Sequence, residues 1–255
     1  MGKKKKPAED EEEEPAAPSF PVLSPELKKF EGLIRSRAAA ARAPGSLPSW
    51  RGLLGKLWRI HRLKLFDNPA AKPLDHPGML GKGRVTVVDL SDIDAPHVNN
   101  LVIADILRGV WKAQEQHFEA ATKKGEKPTP VVIIIEEAHE FLSDQRIKQM
   151  EVLFQHVAKI AKRGRKRWLG LVFVTQLPQH LPGEVLGLIN NYIVHQIKDS
   201  GVVDRLKKSI SGIDKGQWNM VSGLAPGQAL VSLTSMTRPL LVSIDPTPSR
   251  LLLVE

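Results

Sequence analysis

The chain has 255 residues, no cysteine and a formal net charge of +9, which excludes disulfides and cysteine-ligated metals and favours a polyanionic partner. Its hydrophobic content of 42% is that of an ordinary soluble globular protein. No apolar run is long enough to span a membrane and no signal-peptide pattern opens the sequence, so we expect a cytoplasmic protein without membrane contact. The positive charge has a plainer alternative explanation, which is general solubility.

The N-terminal third is predicted to lie outside the main core. Residues 1–22 hold a lysine run, an acidic run and a Pro/Ala stretch, a composition typical of a disordered tail or linker. Residues 23–83 form a helical segment and a loop, with helices from Pro25 to about residue 41 and from Ser49 to about residue 65. Residues 249–255 form a short C-terminal tail.

Strands and helices alternate from residue 84 to residue 248, which predicts an α/β fold with a mostly parallel sheet and helices on both faces. The last two strands are predicted to pair with each other. The predicted strands are 84–90, 131–135, 169–174, 192–196, 229–233 and 239–244. The predicted helices are 97–122, 146–163, 183–190, 201–209 and 214–221.

Two adjacent acids, Glu136 and Glu137, follow the strand 131–135, whose five β-branched residues predict burial on both faces. The pattern is that of a Walker B segment, in which one acid lies near Mg²⁺ and the next polarises the attacking water. The matching phosphate loop, GxxxxGK[ST], occurs nowhere in the 255 residues, so the chain carries half of an ATPase site. The acids could instead be solvated surface charges. His139 could couple nucleotide state to nearby loops or simply cap the turn.

Thr175 and Gln176 end the next strand along the chain. Because the carboxyl ends of parallel strands meet at one edge of a sheet, we expect this pair beside the two acids. There the side chains could contact the γ-phosphate or the attacking water. As a dipeptide alone, the pair is equally compatible with an ordinary strand end.

Six cations lie within nine residues, from Lys159 to Arg167, and Trp168 follows them. We predict that Arg165, beside Gly164, stabilises charge on the γ-phosphate. Its neighbours are predicted to contact DNA phosphates; they are Lys162, Arg163, Lys166 and Arg167. The alternative is a solvated helix end whose cations suit the helix dipole.

The order of these motifs resembles the HerA-type DNA translocases of the FtsK/HerA branch. The resemblance covers about residues 84–248 and rests on Ile135–His139, Ile160–Lys166 and Leu169–Pro178, with support from Leu224–Val231. It implies a RecA-like P-loop NTPase core, incomplete here because the P-loop strand is absent. It also implies that Glu136 holds Mg²⁺ through water and Glu137 is the catalytic base. Gln176 would be the sensor with Thr175 beside the nucleotide, and Arg165 would lie near the nucleotide.

The resemblance further implies ATP and Mg²⁺ as ligands, duplex DNA as the track and a homo-hexameric ring. It suggests a role in DNA repair with a NurA-type nuclease, or with a defence effector. Two positions depart from the family pattern: Arg163 replaces an acid and Leu177 replaces an arginine. We therefore expect an ATP-driven translocase or helicase whose P-loop comes from a missing N-terminal part or another chain, and which does not hydrolyse ATP alone. The alternative is a non-catalytic assembly or DNA-binding subunit derived from such an ATPase.

Overall fold

The computed structural model describes residues 25–40, 47–63, 71–91 and 96–248. The predicted tails at 1–22 and 249–255 lie outside these ranges. The chain divides into two units between Pro73 and Leu74, whereas the boundary predicted from sequence follows residue 83. The first unit contains helices α1 (Pro25–Ala39) and α2 (Leu47–Arg62), which contact each other. Within the described residues, no helix combines the length and apolar character needed to cross a membrane.

The second unit carries the alternating elements. Its helices are α3 (His76–Met79), α4 (Pro96–Lys124), α5 (Ala138–Leu142), α6 (Asp144–Gln149), α7 (Glu151–Arg163), α8 (Gly183–Leu186), α9 (Ser200–Ser209) and α10 (Lys215–Val221). Two short 3₁₀ helices span Gly164–Arg167 and Pro178–His180. The strands are β1 (Val131–Ile135), β2 (Leu169–Phe173), β3 (Tyr192–Val194), β4 (Gln228–Ser232) and β5 (Leu240–Ser243).

Strands β1 and β2 form a parallel pair in which Val131 lies opposite Leu169 and Ile135 lies opposite Phe173. Alternate residues of both strands, together with α4 and α7, enter one hydrophobic core. Helix α7 contributes to it because its apolar residues recur at helical spacing and are buried, namely Leu153, Val157 and Ile160. This packing fixes one face of the parallel pair.

The other three strands form a separate antiparallel sheet in the order β3-β4-β5. The predicted pairing of the last two strands is therefore confirmed. The parallel part of the predicted sheet is small, because within the described residues only β1 and β2 pair in parallel. Residues of both sheets, such as Ile135 and Leu230, belong to the same core cluster.

Three expectations need correction. Residues 84–90 form no strand, and Val85 and Val87 are 88% and 84% exposed, because a strand requires a partner and no described strand pairs with this segment. Strand β1 is buried on one face only, since Val132 and Ile134 are each 61% exposed. The helix predicted at 146–163 is broken at Met150, whose backbone leaves the helical region at φ −144° and ψ 72°.

Candidate functional site

The carboxyl ends of β1 and β2 bring together an acid and an amide that are 39 residues apart in sequence. Gln176 Nε2 donates a hydrogen bond to Glu137 Oε1 at 3.0 Å. The parallel register makes this contact possible, because each residue follows the end of its strand by two or three positions. The predicted proximity of the acids and the residues after β2 is thus present in the structure.

The backbone at Glu137 has an unusual conformation that turns the chain directly after β1. Its φ and ψ are both 45°, in the left-handed region, which costs a non-glycine residue roughly 1–2 kcal/mol. Two backbone hydrogen bonds hold the turn in place: Val174 N–H donates to Ile135 O and Ala138 N–H donates to Val174 O, both at 2.9 Å. The strain is therefore held by strand pairing that continues beyond the end of the sheet, and it aims the carboxylate towards Gln176.

Glu136 precedes this turn and has an exposed carboxylate. Within the described residues it has no hydrogen-bond or ion-pair partner, and no group of three or more His, Asp or Glu side chains could form a complete metal site. A solvent-facing carboxylate of this kind suits Mg²⁺, which keeps several waters and binds through one or two carboxylates together with substrate phosphates. The arrangement fits the metal as part of a nucleotide complex.

Thr175 and His139 form a second contact next to the Glu137–Gln176 pair. His139 is only 8% exposed, and its Nδ1 lies 3.0 Å from Thr175 Oγ1 and 3.3 Å from Glu137 Oε2. The same hydroxyl accepts a hydrogen bond from Leu177 N–H at 3.1 Å. The sequence analysis predicted that Thr175 lies at the nucleotide. In the structure its hydroxyl contacts His139 Nδ1 and Leu177 N–H of the same chain.

The basic segment lies at the other end of the same strands. The 3₁₀ helix that carries Arg165 immediately precedes β2, and Val131 N–H donates to Trp168 O at 2.8 Å at the amino end of β1. At about 3.3 Å per residue, β2 separates this end from the carboxyl end by about 13 Å, farther than an arginine side chain reaches. The structure therefore does not bring Arg165 to Glu137 within one chain.

The cations predicted to bind DNA differ in their surroundings. Lys162, Arg163 and Lys166 are all exposed. Arg167 is partly exposed and packs against α4, with its guanidinium carbon 4.8 Å from the centre of the Phe118 ring and its Nε 3.8 Å from Glu115 Oε1. The Arg167 side chain thus contacts two residues of α4, so a role in DNA binding would come in addition to this packing role.

Sequence reasoning missed Gln114, which anchors the basic segment. Its side chain is fully buried, and its Nε2 donates to Thr129 O at 3.0 Å and Arg167 O at 2.9 Å. These bonds tie α4 to the segments that enter β1 and β2. The only signal in the sequence is a glutamine on the core-facing side of a long helix, which does not identify its backbone partners.

Comparisons with known proteins give consistent matches. A family model described as the helicase HerA-like C-terminal domain matches residues 62–244. The chain is 29% identical over 172 residues to the DNA double-strand break repair helicase HerA of Saccharolobus solfataricus, covering 67% of this chain and 33% of that protein. The chain thus spans about a third of the length of the curated relatives it matches.

Solved structures bear on the fold. VirB4 of Thermoanaerobacter pseudethanolicus matches with a TM-score of 0.51 at 14% identity, covering 87% of this chain and 55% of that chain. The genome packaging NTPase B204 of Sulfolobus turreted icosahedral virus 2, solved with ATP-gammaS, matches with a TM-score of 0.48 at 18% identity, covering 69% of this chain and 74% of that chain. The likeness to VirB4 shows the fold alone, and it confirms the predicted fold class, an incomplete RecA-like α/β core.

Proposed function

The chain belongs to the family of helicases with a HerA-like C-terminal domain, and on that premise we propose that it forms the C-terminal part of an ATP-driven DNA translocase. The observation that carries the proposal is the hydrogen bond between Glu137 and Gln176 across two parallel strand ends, beside the exposed Glu136. This arrangement suits a general base, a polar sensor and a Mg²⁺-side acid at one edge of the sheet.

Glu137 is suited to the role of the base. Its side chain is 47% exposed, so water can reach it, and its strained backbone fixes its direction. Gln176 orients one carboxylate oxygen and could move with the γ-phosphate once nucleotide is bound. Bound Mg²⁺ would neutralise charge that develops on the phosphates, and Glu136 would hold it through water.

Arg165 is proposed to act on the nucleotide of a neighbouring subunit. Its position at the opposite end of β2 from Glu137 supports action in a different site from the one that holds Glu137 of its own chain. A closed ring of identical subunits gives each site an arginine from the next copy, because a head-to-tail interface repeats around the ring. The proposed hexamer and the cross-subunit role of Arg165 therefore support each other.

DNA contact is proposed for the solvent-facing cations of the basic segment, Lys162, Arg163 and Lys166. Cations that contact phosphates bind duplex DNA without reading its sequence, as a translocase requires. The net charge of +9 is in keeping with a polyanionic partner. A nuclease or a defence effector would be a further partner of the complete assembly.

We propose that the phosphate loop comes from a segment outside this sequence. Parallel sheets are normally covered on both faces, yet one face of β1 and β2 presents apolar side chains to solvent. These are Val132 and Ile134 at 61% exposure, Val172 at 43% and Val174 at 47%. We propose that the P-loop segment, in the same polypeptide or another chain, covers this face. This chain alone is then expected to bind ATP poorly.

The second candidate is a non-catalytic assembly or DNA-binding subunit of the same origin. It is favoured by the absence of GxxxxGK[ST] from the sequence and by the departures at Arg163 and Leu177. The strained Glu137 turn argues for the catalytic reading, because such strain persists where function uses it. The two candidates differ in whether Glu137 affects ATP turnover.

The test uses Glu137→Gln in the complete protein or complex that carries a P-loop. The substitution keeps the shape of the side chain and removes the base, so DNA-stimulated ATP hydrolysis should fall by roughly 10²-fold or more. ATP affinity should stay unchanged, as measured by calorimetric titration. Glu184→Gln is the matched control, because Glu184 is an exposed acid of α8 and, within the described residues, forms no hydrogen bond or ion pair with Glu137 or Gln176. Near-normal turnover in the Glu137 variant would favour the non-catalytic candidate.

A further inference from the structure

His139 has more specific contacts than a residue that caps a turn. Its ring is 8% exposed, while the carboxylates near its two nitrogens are exposed at 47% for Glu137 and 60% for Glu140. The buried imidazole of His139 therefore lies between two exposed carboxylates, those of Glu137 and Glu140. Nothing in the proposed roles of Glu136, Glu137, Gln176 and Arg165 uses it.

The position of the His139 ring is fixed by its contact with Thr175. The Thr175 hydroxyl accepts a hydrogen bond from Leu177 N–H, so its oxygen has a fixed place relative to the end of β2. His139 Nδ1 lies 3.0 Å from that oxygen and 3.3 Å from Glu137 Oε2. A lone pair on Nδ1 would face the carboxylate unfavourably, whereas a hydrogen on Nδ1 can be shared between both oxygens.

The carboxylate of Glu137 is therefore held at both oxygens. Gln176 donates to Oε1 from the end of β2, and His139 lies against Oε2 from the first turn of α5. The Gln176 contact joins exposed side chains, whereas the His139 ring is only 8% exposed. The buried contact is the one that would keep the base aimed while the sensor moves.

We propose that His139, fixed by Thr175, is the positioning residue that orients the Glu137 carboxylate to take a proton from the attacking water. The proposal rests on the proposed function of Glu137 as the base. It assigns Thr175 to the support of His139 rather than to the nucleotide. His139 does not touch the nucleotide in this scheme, so it affects the rate of the chemical step and not ATP binding.

Two substitutions of the same residue separate positioning from packing. His139→Asn places an amide N–H near the position of Nδ1, whereas His139→Gln places it near Nε2. Both remove the ring and its edge-on contact with His180, whose centroid is 6.0 Å away, so both share the packing loss. His180→Asn removes the other ring of that pair and is the matched control.

In the complete protein, His139→Gln should lower kcat for ATP hydrolysis by roughly 10-fold to 100-fold, the scale of a misplaced catalytic group, with KM unchanged. His139→Asn should recover most of this loss, and His180→Asn should show little. Thr175→Val should lower kcat as well, and its combination with His139→Gln should cost no more than His139→Gln alone, because both act through one contact. Equal losses for the Asn and Gln variants, or a change confined to KM, would overturn the proposal.

A second measurement on this chain does not depend on turnover. With ¹⁵N-labelled histidine, Glu137→Gln and Thr175→Val should each shift the ring-nitrogen signals of His139 more than those of His180. If the complete wild-type protein does not hydrolyse ATP, the proposed function fails while this result still decides whether the contact exists. Unchanged His139 signals in both variants would sink the inference by itself.

Discussion

Two non-glycine residues among those described have positive φ, and they stand at opposite ends of the parallel strand pair. Glu137 (φ 45°) follows β1, and Trp168 (φ 58°) precedes β2. The carboxylate of Glu137 lies at the carboxyl end of the pair, and Trp168 directly follows the cationic segment at the amino end. At the scale of single residues, a left-handed backbone conformation therefore marks both the acidic end and the basic end of the strand pair.

Arg165 provides the residue-scale prediction. Arg165→Lys should abolish ATP hydrolysis in the complete enzyme, because a point charge does not reproduce a planar guanidinium at the transferring phosphoryl group. Mixing Arg165→Ala subunits with Glu137→Gln subunits should restore part of the activity, since some interfaces then combine both intact groups. Steady-state ATPase of the mixture measures this. An inactive mixture would mean that both groups act within one subunit, contrary to their separation along β2.

At the scale of elements, local pattern predicted most of the framework. The bounds of α4 and α9 agree with the predicted helices within two residues, and the predicted pairing of the last two strands is observed as β4–β5. Patterns could not reveal that residues 84–90 have no strand partner, because their sequence is that of a strand and pairing depends on a distant segment. They also could not place Gln114, since a buried polar side chain is explained only by the carbonyls that it meets.

For the candidate site, the sequence predicted which residues meet at the carboxyl ends of β1 and β2, since parallel register alone requires it. The same argument, applied to Arg165 before the strand 169–174, places it at the opposite edge of the sheet from the acids, whereas its assignment to the nucleotide came from the motif and the family resemblance. The sequence could not assign the partner of Thr175, since a hydroxyl at a strand end suits a ligand or a neighbouring ring equally well. That partner is visible only in the 3.0 Å approach of His139.

Gly164 provides the element-scale prediction. A Cβ at this position would lie 2.3 Å from Leu169 O and 3.2 Å from Ile160 Cγ2, so the basic 3₁₀ helix approaches the start of β2 more closely than any side chain allows. Gly164→Ala should lower the free energy of unfolding by about 1–3 kcal/mol, measured by urea denaturation. Gly183→Ala is the control, because a Cβ at this position of α8 would have nothing within 4 Å and little loss is expected. Equal stability in the two variants would show that the segment can move aside.

For the whole molecule, the open face of β1 and β2 leads to a prediction about self-association in solution. Contiguous exposed apolar surface promotes association, and Ile134 lies on this face with 61% exposure. Ile134→Lys should reduce self-association of the isolated chain with little change in its stability, as measured by light scattering and thermal unfolding. Val152→Lys is the control, because Val152 is 55% exposed but lies on α7 and not on these strands. An equal reduction of self-association in both variants would mean that the added charge, and not the loss of apolar surface on β1 and β2, is responsible.

The proposed role of Arg165 in a neighbouring site would make each copy dependent on its neighbours, because the length of β2 separates Arg165 from the edge that carries Glu137. If every site takes its base from one subunit and its arginine from the next, a lone subunit with nucleotide stays idle. Activity then rises more steeply than in proportion to protein concentration, and DNA that gathers subunits into a ring also starts hydrolysis. The length of one strand would in this way protect the cell against futile ATP consumption by unassembled chains.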